Sequence, residues 1–272
     1  MNPPDAFATA TGVRPDGDGG WSASVAEGWD ILGNANGGYL LAIAARAMAG
    51  AAGRPDPVTV TAHYLSPGRP GPVTARTEVV KQGRRFATVQ ARLDADRPLL
   101  ALVGTFGELE PSGGAGLYVE GAPPELPDPD DCEWHEGASA AAGAPSFMDR
   151  VELRLHPDDA GFRTGDPSGT PRVRGWFRLP GGEPVDTIGL LQAVDAFPPT
   201  VFNARFPVAW TPTVELTAHL RARPAPGWLA CAFSTRFVTG GFLEADGEVW
   251  DSTGTLVAQS RQLALVPRDP TP

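Results

Sequence analysis

Val58-Thr59-Val60-Thr61-Ala62-His63-Tyr64-Leu65 and Val214-Glu215-Leu216-Thr217-Ala218-His219-Leu220 carry one pattern twice, and that repetition decides the fold. The shared Thr-Ala-His stands at the same offset as the ends of the Pro/Arg/Gly stretches that follow: 217 − 61 = 156 and 227 − 71 = 156. Each copy is preceded by an apolar, helix-like segment and followed by strand-like segments. A spacing this long in a chain of 272 residues signals two duplicated domains rather than a short-repeat solenoid. Such a pair can hold a site between its copies, with the chemistry kept in one of them.

Working outward, Asn34-Ala35-Asn36-Gly37-Gly38 reads as a turn that opens a helix from Tyr39 to about Ala49. Tyr39, Leu40, Leu41, Ile43 and Met48 make that helix apolar nearly all round, so it must be wrapped on several sides. Gly50, Gly53 and Pro55 are its stop signals. Strands are predicted at residues 58–65, 73–82, 86–94 and 99–106, with turns at Gln82-Gly83-Arg84-Arg85 and at residues 94–98. Periodicity then fades into a Pro/Gly-rich linker, and strands resume around 151–155 and 172–179. The second copy predicts a helix over 186–197, N-capped by Asp186 and ended by Pro198-Pro199, then strands at 213–221, 228–238, 243–251 and 255–266. The expected architecture is α+β: a double hotdog, two antiparallel sheets each wrapped around a central helix and fused in one chain. Its boundaries fall at 1–108 for the N-terminal hotdog, 109–145 for the linker and 146–272 for the C-terminal hotdog.

With 42% hydrophobic and 20% charged residues, the chain has the makings of a globular core. Its net charge of −10 argues against a nucleic-acid partner, which needs basic surface. Arg84-Arg85, Arg221 and Arg223 leave two readings open, local patches for a phosphorylated ligand or solvated strand ends. No apolar stretch is long enough for a membrane span, and the first residues show no secretory signal. Cys132 and Cys231 belong to no metal-like cluster and read as free thiols. These features predict a cytoplasmic protein with no metal and no other cofactor.

Asp195 is the first candidate for chemistry. On the predicted second helix it shares a face with Ile188 and Leu191, where an unpartnered carboxylate is costly. The first helix has no acid between Gly38 and Gly50, the asymmetry expected if one of two ancestral sites kept its function. A solvent-facing carboxylate at the end of a helix is the competing reading. Thr213 opens a strand, where ordinary β-propensity accounts for it equally well. Gln262 shares a strand face with the small residues Ala258, Ser260 and Ala264, which leaves room for a ligand or a water. Asn36, Gly37 and Gly38 are candidate substrate-binding positions, because amides at a helix N-terminus suit a carbonyl oxygen gaining negative charge. His63 and His219 occupy matching strand positions and read as structural. His135 lies in the linker and His156 near another loop.

At these residues the chain resembles the acyl-CoA thioesterase II (TesB-like) family. Gly37-Gly38-Tyr39-Leu40-Leu41-Ala42-Ile43-Ala44 is similar to the family's Gly-Gly helix opening. Thr61-Ala62-His63-Tyr64-Leu65-Ser66-Pro67-Gly68 resembles its strand ending in Phe-Leu-Arg-Pro-Gly. The resemblance sets the family's catalytic Asp on Asp195, its Thr on Thr213 and its Gln on Gln262, all in the second copy. It implies hydrolysis of an acyl-CoA or acyl-carrier thioester without a covalent intermediate, Asp195 acting as general base on a water oriented by Thr213 and Gln262. Sheet edges offer a route to a homo-oligomer. Two departures, Glu215-Leu216 and Phe197, bear on acyl specificity. Two other classes stay open: a hotdog hydratase or dehydratase, which needs a His paired with an acid, and a non-catalytic acyl-thioester binding protein.

Overall fold

The computed structural model describes residues 6–17, 19–114, 118–133 and 145–267. Elements of the first half are α1 (Phe7–Ala10), β1 (Arg14–Pro15), β2 (Gly20–Val25), β3 (Asp30–Ile31), β4 (Asn34–Ala35), α2 (Gly37–Ala52), β5 (Asp56–Tyr64), β6 (Gly71–Gln82), β7 (Ala87–Asp94) and β8 (Pro98–Gly107). The second half supplies β9 (Glu152–Leu155), β10 (Arg172–Arg178), α3 (Thr187–Ala193), β11 (Thr213–Leu220), β12 (Leu229–Ser234), β13 (Val238–Thr239), β14 (Phe242–Trp250) and β15 (Leu256–Leu265). Thirteen of the fifteen strands form one sheet in the order β1-β2-β6-β7-β8-β5-β11-β15-β14-β12-β10-β9, with β13 beside β14, while β3 and β4 pair separately as a two-stranded sheet. This is the double hotdog that the sequence predicts. His135 lies outside the described residues.

The repeated pattern is the seam. β5 and β11 pair antiparallel, and the register sets Thr61 opposite Thr217, Thr59 opposite His219 and His63 opposite Glu215. Residues related by the 156-residue offset thus meet across a local two-fold axis, as in an isologous dimer interface. The Thr61 and Thr217 hydroxyls touch on that axis, Oγ1 to Oγ1 2.8 Å. Strand alternation turns Val60, Ala62, Leu216 and Ala218 toward the helices, where all four are fully buried. His63 and His219 are exposed on the opposite face.

Helix α2 is buried almost throughout, from Gly38 to Met48. Asn36 caps it, its side chain accepting from the Tyr39 amide at 2.9 Å. The helix runs through Gly50, which the sequence reads as a stop, and ends at Gly53 in the left-handed conformation (φ 60°). Gly50 serves packing instead: a Cβ there would lie 2.3 Å from Cη2 of Trp21, so the missing side chain lets the indole rest on the helix. Helix α3 is shorter than predicted. It ends at Ala193, and Asp195 sits in the turn just beyond, its amide bonded to the Gln192 carbonyl. The chain tightens there into an i→i−3 turn, and Pro198-Pro199 further on keep the helix from resuming. The predicted N-cap holds, with the Asp186 carboxylate accepting from the Gly189 amide at 2.7 Å.

Strand β11 contains a bulge. Its ladder with β15 pairs Thr213 with Ala264, then skips Val214 to pair Glu215 with Leu263. By simple alternation Thr213 would join Glu215 and Thr217 on the outward face. The extra residue turns it inward, beside Gln262, which pairs with the inward Leu216. Both cysteines are free, Cys231 buried and Cys132 partly so.

Candidate active site

Helices α2 and α3 pack side by side beneath the seam. The C-terminal end of α3 meets the N-terminus of α2, and Asp195 lies at that junction. Its Oδ2 accepts from the Gly38 amide at 2.6 Å, and its Oδ1 accepts from Gln262 Nε2 at 3.2 Å. The same Gln262 nitrogen also donates to Thr213 Oγ1. Asn36 Nδ2 donates to the Asp195 carbonyl at 3.3 Å. One half therefore supplies the carboxylate, the threonine and the glutamine, and the other supplies the helix start that grips the carboxylate.

Gly37 and Gly38 are required by distance. A Cβ on Gly37 would lie 2.7 Å from Asp195 Oδ2 and 2.9 Å from Cε1 of Tyr64. On Gly38 it would lie 3.0 Å from the Cβ of Asp195. The Gly38 amide, which the sequence suggests for a substrate oxygen, is bonded to Asp195. Asn36 has both ends of its amide engaged within the protein, one on the helix cap and one on the Asp195 backbone.

Burial dominates the electrostatics of Asp195. Removal from water raises its pKa from 3.8 to about 7, although the hydrogen bonds from Gly38 and Gln262 pull the other way. A carboxyl poised there can take a proton and return it near neutral pH.

Asp195, Thr213 and Gln262 face a cleft of about 270 Å³ between the halves. Its wall is mostly apolar, and Asp195 is the one charged side chain lining it among the described residues. Phe197 is part of that wall, packed against Phe233 with ring centroids 5.1 Å apart. Glu215, by contrast, accepts from Thr217 Oγ1 at 2.5 Å on the outward side of the strand. Tyr64 also lines the cleft, a position that composition and motif reading left without a role. Its only sequence signal was the phenylalanine of the resembled motif.

At the other end of the helix pair the corresponding junction holds no such carboxylate. There Arg46 of α2 meets Asp186, the cap of α3, with Nη1 3.2 Å from Oδ2. Nearby Asp56 is buried and fully engaged, accepting from Thr187 Oγ1 at 2.8 Å, the Leu109 amide at 2.8 Å and Arg223 Nη2 at 2.7 Å. The duplication has kept two helix junctions, each opening on a cavity, but at the second the lining acids Asp56 and Asp186 are ion-paired to Arg223 and Arg46.

A double hotdog with an unpaired carboxylate facing an apolar cleft at one junction of its helices is the class that fold and site define. Residues 25–107 match the N-terminal domain of acyl-CoA thioesterases, and residues 124–266 match their C-terminal domain. The chain belongs to the acyl-CoA thioesterase family. It is 32% identical to an uncharacterised Mycobacterium tuberculosis protein, over 96% of this chain and 98% of that one. A thioesterase II candidate from Thermobifida fusca superimposes with a TM-score of 0.88 at 32% identity, covering 98% of this chain and all of the other (100%). A hot dog fold protein of unknown function from Alicyclobacillus acidocaldarius superimposes at 0.81 with 22% identity, over 97% and 98% of the two chains.

Proposed function

We propose that the protein hydrolyses an acyl thioester to a carboxylic acid and a thiol, with Asp195 as general base. The observation that carries this reading is the carboxylate held by Gly38 and Gln262 in an apolar cleft, with its pKa raised to about 7. Ionised Asp195 takes a proton from water, and the hydroxide forms a C–O bond to the thioester carbonyl. The tetrahedral intermediate collapses, the C–S bond breaks, and the leaving thiolate takes the proton held by Asp195, which returns to its ionised form. Thr213 and Gln262 hold the water on one side of the base. Thioesters are activated acyl groups, so positioning and proton removal suffice. The substrate is an acyl-CoA or an acyl-carrier thioester whose acyl group occupies the apolar cleft.

Hydration of an enoyl thioester is less well supported. His63 and His219 are exposed on the outward sheet face, and His156 caps a short turn through the Asp158 amide. None of the described histidines lines the cleft. The deciding experiment follows free thiol release from acyl-CoAs of graded chain length with wild type and Asp195→Asn. Hydrolysis that falls about 100-fold or more in the variant is expected for loss of a general base. Unchanged release would sink the assignment. Binding without turnover would favour a non-catalytic acyl-thioester receptor.

A further inference from the structure

Every amide that holds Asp195 is committed to it or to the protein. Gly38 N–H donates to Oδ2, Gln262 Nε2 to Oδ1 and Thr213 Oγ1, and Asn36 Nδ2 to the Asp195 carbonyl. The hydrogen of the Thr213 hydroxyl is left for the attacking water. Attack on the carbonyl carbon puts a full negative charge on the carbonyl oxygen, and the general requirement is a donor already aimed at that position. Among the described residues one buried donor in the wall of the cleft is unspent. Tyr64 lines it, and its hydroxyl is sealed from solvent and meets no hydrogen-bond partner.

The placement of Tyr64 follows from the strand. It extends the inward row Val60, Ala62, Tyr64 of β5, so its ring points where the chain passes over the start of α2. The edge of the ring and Asp195 Oδ2 flank the same point beside Gly37, 2.9 Å and 2.7 Å from where a Cβ would stand. Tyr64 therefore enters from the first half while Thr213 and Gln262 enter from the second, with Asp195 between. A buried hydroxyl without a partner is destabilising, and a bound carbonyl oxygen would satisfy it. Burial, then the neighbouring charges of Asp195 and Glu215, push the phenol well above its usual pKa, so it stays protonated and can only donate or accept as O–H. The resembled family motif has phenylalanine here, and this chain adds one oxygen to that ring.

We propose that the Tyr64 hydroxyl donates a hydrogen bond to the thioester carbonyl oxygen as it becomes an oxyanion, making Tyr64 a catalytic residue of the cleft. This rests on the hydrolase reading given above. Tyr64 keeps its proton throughout; no bond to it forms or breaks.

Tyr64→Phe tests it, since the change deletes one oxygen and preserves the ring. With the acyl-CoA that wild type turns over fastest, kcat is expected to fall by about 100-fold, the effect of losing one oxyanion donor, at an unchanged melting temperature. A second measurement separates donation from packing. Two inert CoA analogues of the same chain length are bound to both proteins, a ketone with the sulfur replaced by CH2 and a thioether without the carbonyl. The variant should lose affinity for the ketone and keep it for the thioether. A kcat within twofold of wild type overturns the role of Tyr64 and leaves Asp195 untouched. Equal losses for both analogues overturn it in favour of packing. Wild type inert toward every acyl-CoA and every acyl-carrier thioester overturns the hydrolase reading and the role of Tyr64 with it.

Discussion

Asp195 holds two properties in opposition. A carboxyl whose pKa rises from 3.8 to about 7 on folding binds its proton more tightly in the folded chain than in the unfolded one. Its contribution to stability is therefore favourable at low pH and is lost as pH climbs from about 4 through about 7. The cost once ionised is on the order of 4 kcal/mol. Asp195→Asn removes that charge, so at pH 8 the variant should melt higher than wild type by roughly 5 °C or more, and at pH 4.5 the gap should close. Calorimetry at the two pH values checks this, and equal melting temperatures at pH 8 would contradict it. Activity should run the other way. For wild type, kcat/KM should rise with pH through an apparent pKa about 7 and level off above, because only the ionised carboxylate accepts a proton. A profile flat from pH 5 to 9 would remove Asp195 as base. Asp195 and Gln262 were visible in the sequence as polar groups in apolar or small surroundings, whereas Thr213, an ordinary strand residue taken alone, stood out only through the family resemblance. That the Gly38 amide binds Asp195 was not visible, since it depends on which helix end meets which.

Among the elements, two local irregularities do what regular periodicity would not. Gly50 looks like a helix stop in sequence, because nothing nearby in the chain reveals that Trp21 lies against it. In most exposed helices Gly→Ala stabilises by up to about 1 kcal/mol. Here the sign should reverse: Gly50→Ala forces a Cβ to within 2.3 Å of the indole and should cost about 1–3 kcal/mol, read as a lower urea midpoint. A midpoint that rises would show that Trp21 yields freely. The bulge at Val214 is the second case. Alternation alone sends Thr213 outward, and only the unpaired Val214 turns it to Gln262. Deleting Val214 should straighten the strand, rotate Thr213 out of the cleft and lower kcat at least tenfold, while the ladder from Glu215 to Leu220 stays protected in hydrogen exchange. Unchanged kcat in the deletion would mean that Thr213 takes no part. The shortened α3 is a related case: the apolar pattern runs on to Phe197, but the Asp195 amide bonds three residues back to Gln192, leaving Asp195 in a turn before the prolines are reached.

Across the whole molecule, the 156-residue repeat translated directly into geometry. Matching residues in two chains of a dimer meet at a two-fold axis, and here Thr61 meets Thr217 within one chain. What the repeat could not announce is the inequality of the two helix junctions, one with Asp195 on Gly38 and one with Arg46 on Asp186. The expected stoichiometry is one ligand per chain. Isothermal titration with the ketone analogue should give a single set of sites near one equivalent, and two equivalents would mean that the Arg46 end also binds. In a homodimer every substitution appears on both sides of the axis, so a change that improves one pocket is imposed on its twin. Fusion frees each half to differ alone: the first carries Arg46 on its helix and Tyr64 on its strand, and neither has to be matched in the second, which carries Asp195 beyond its helix and Leu220 on its strand.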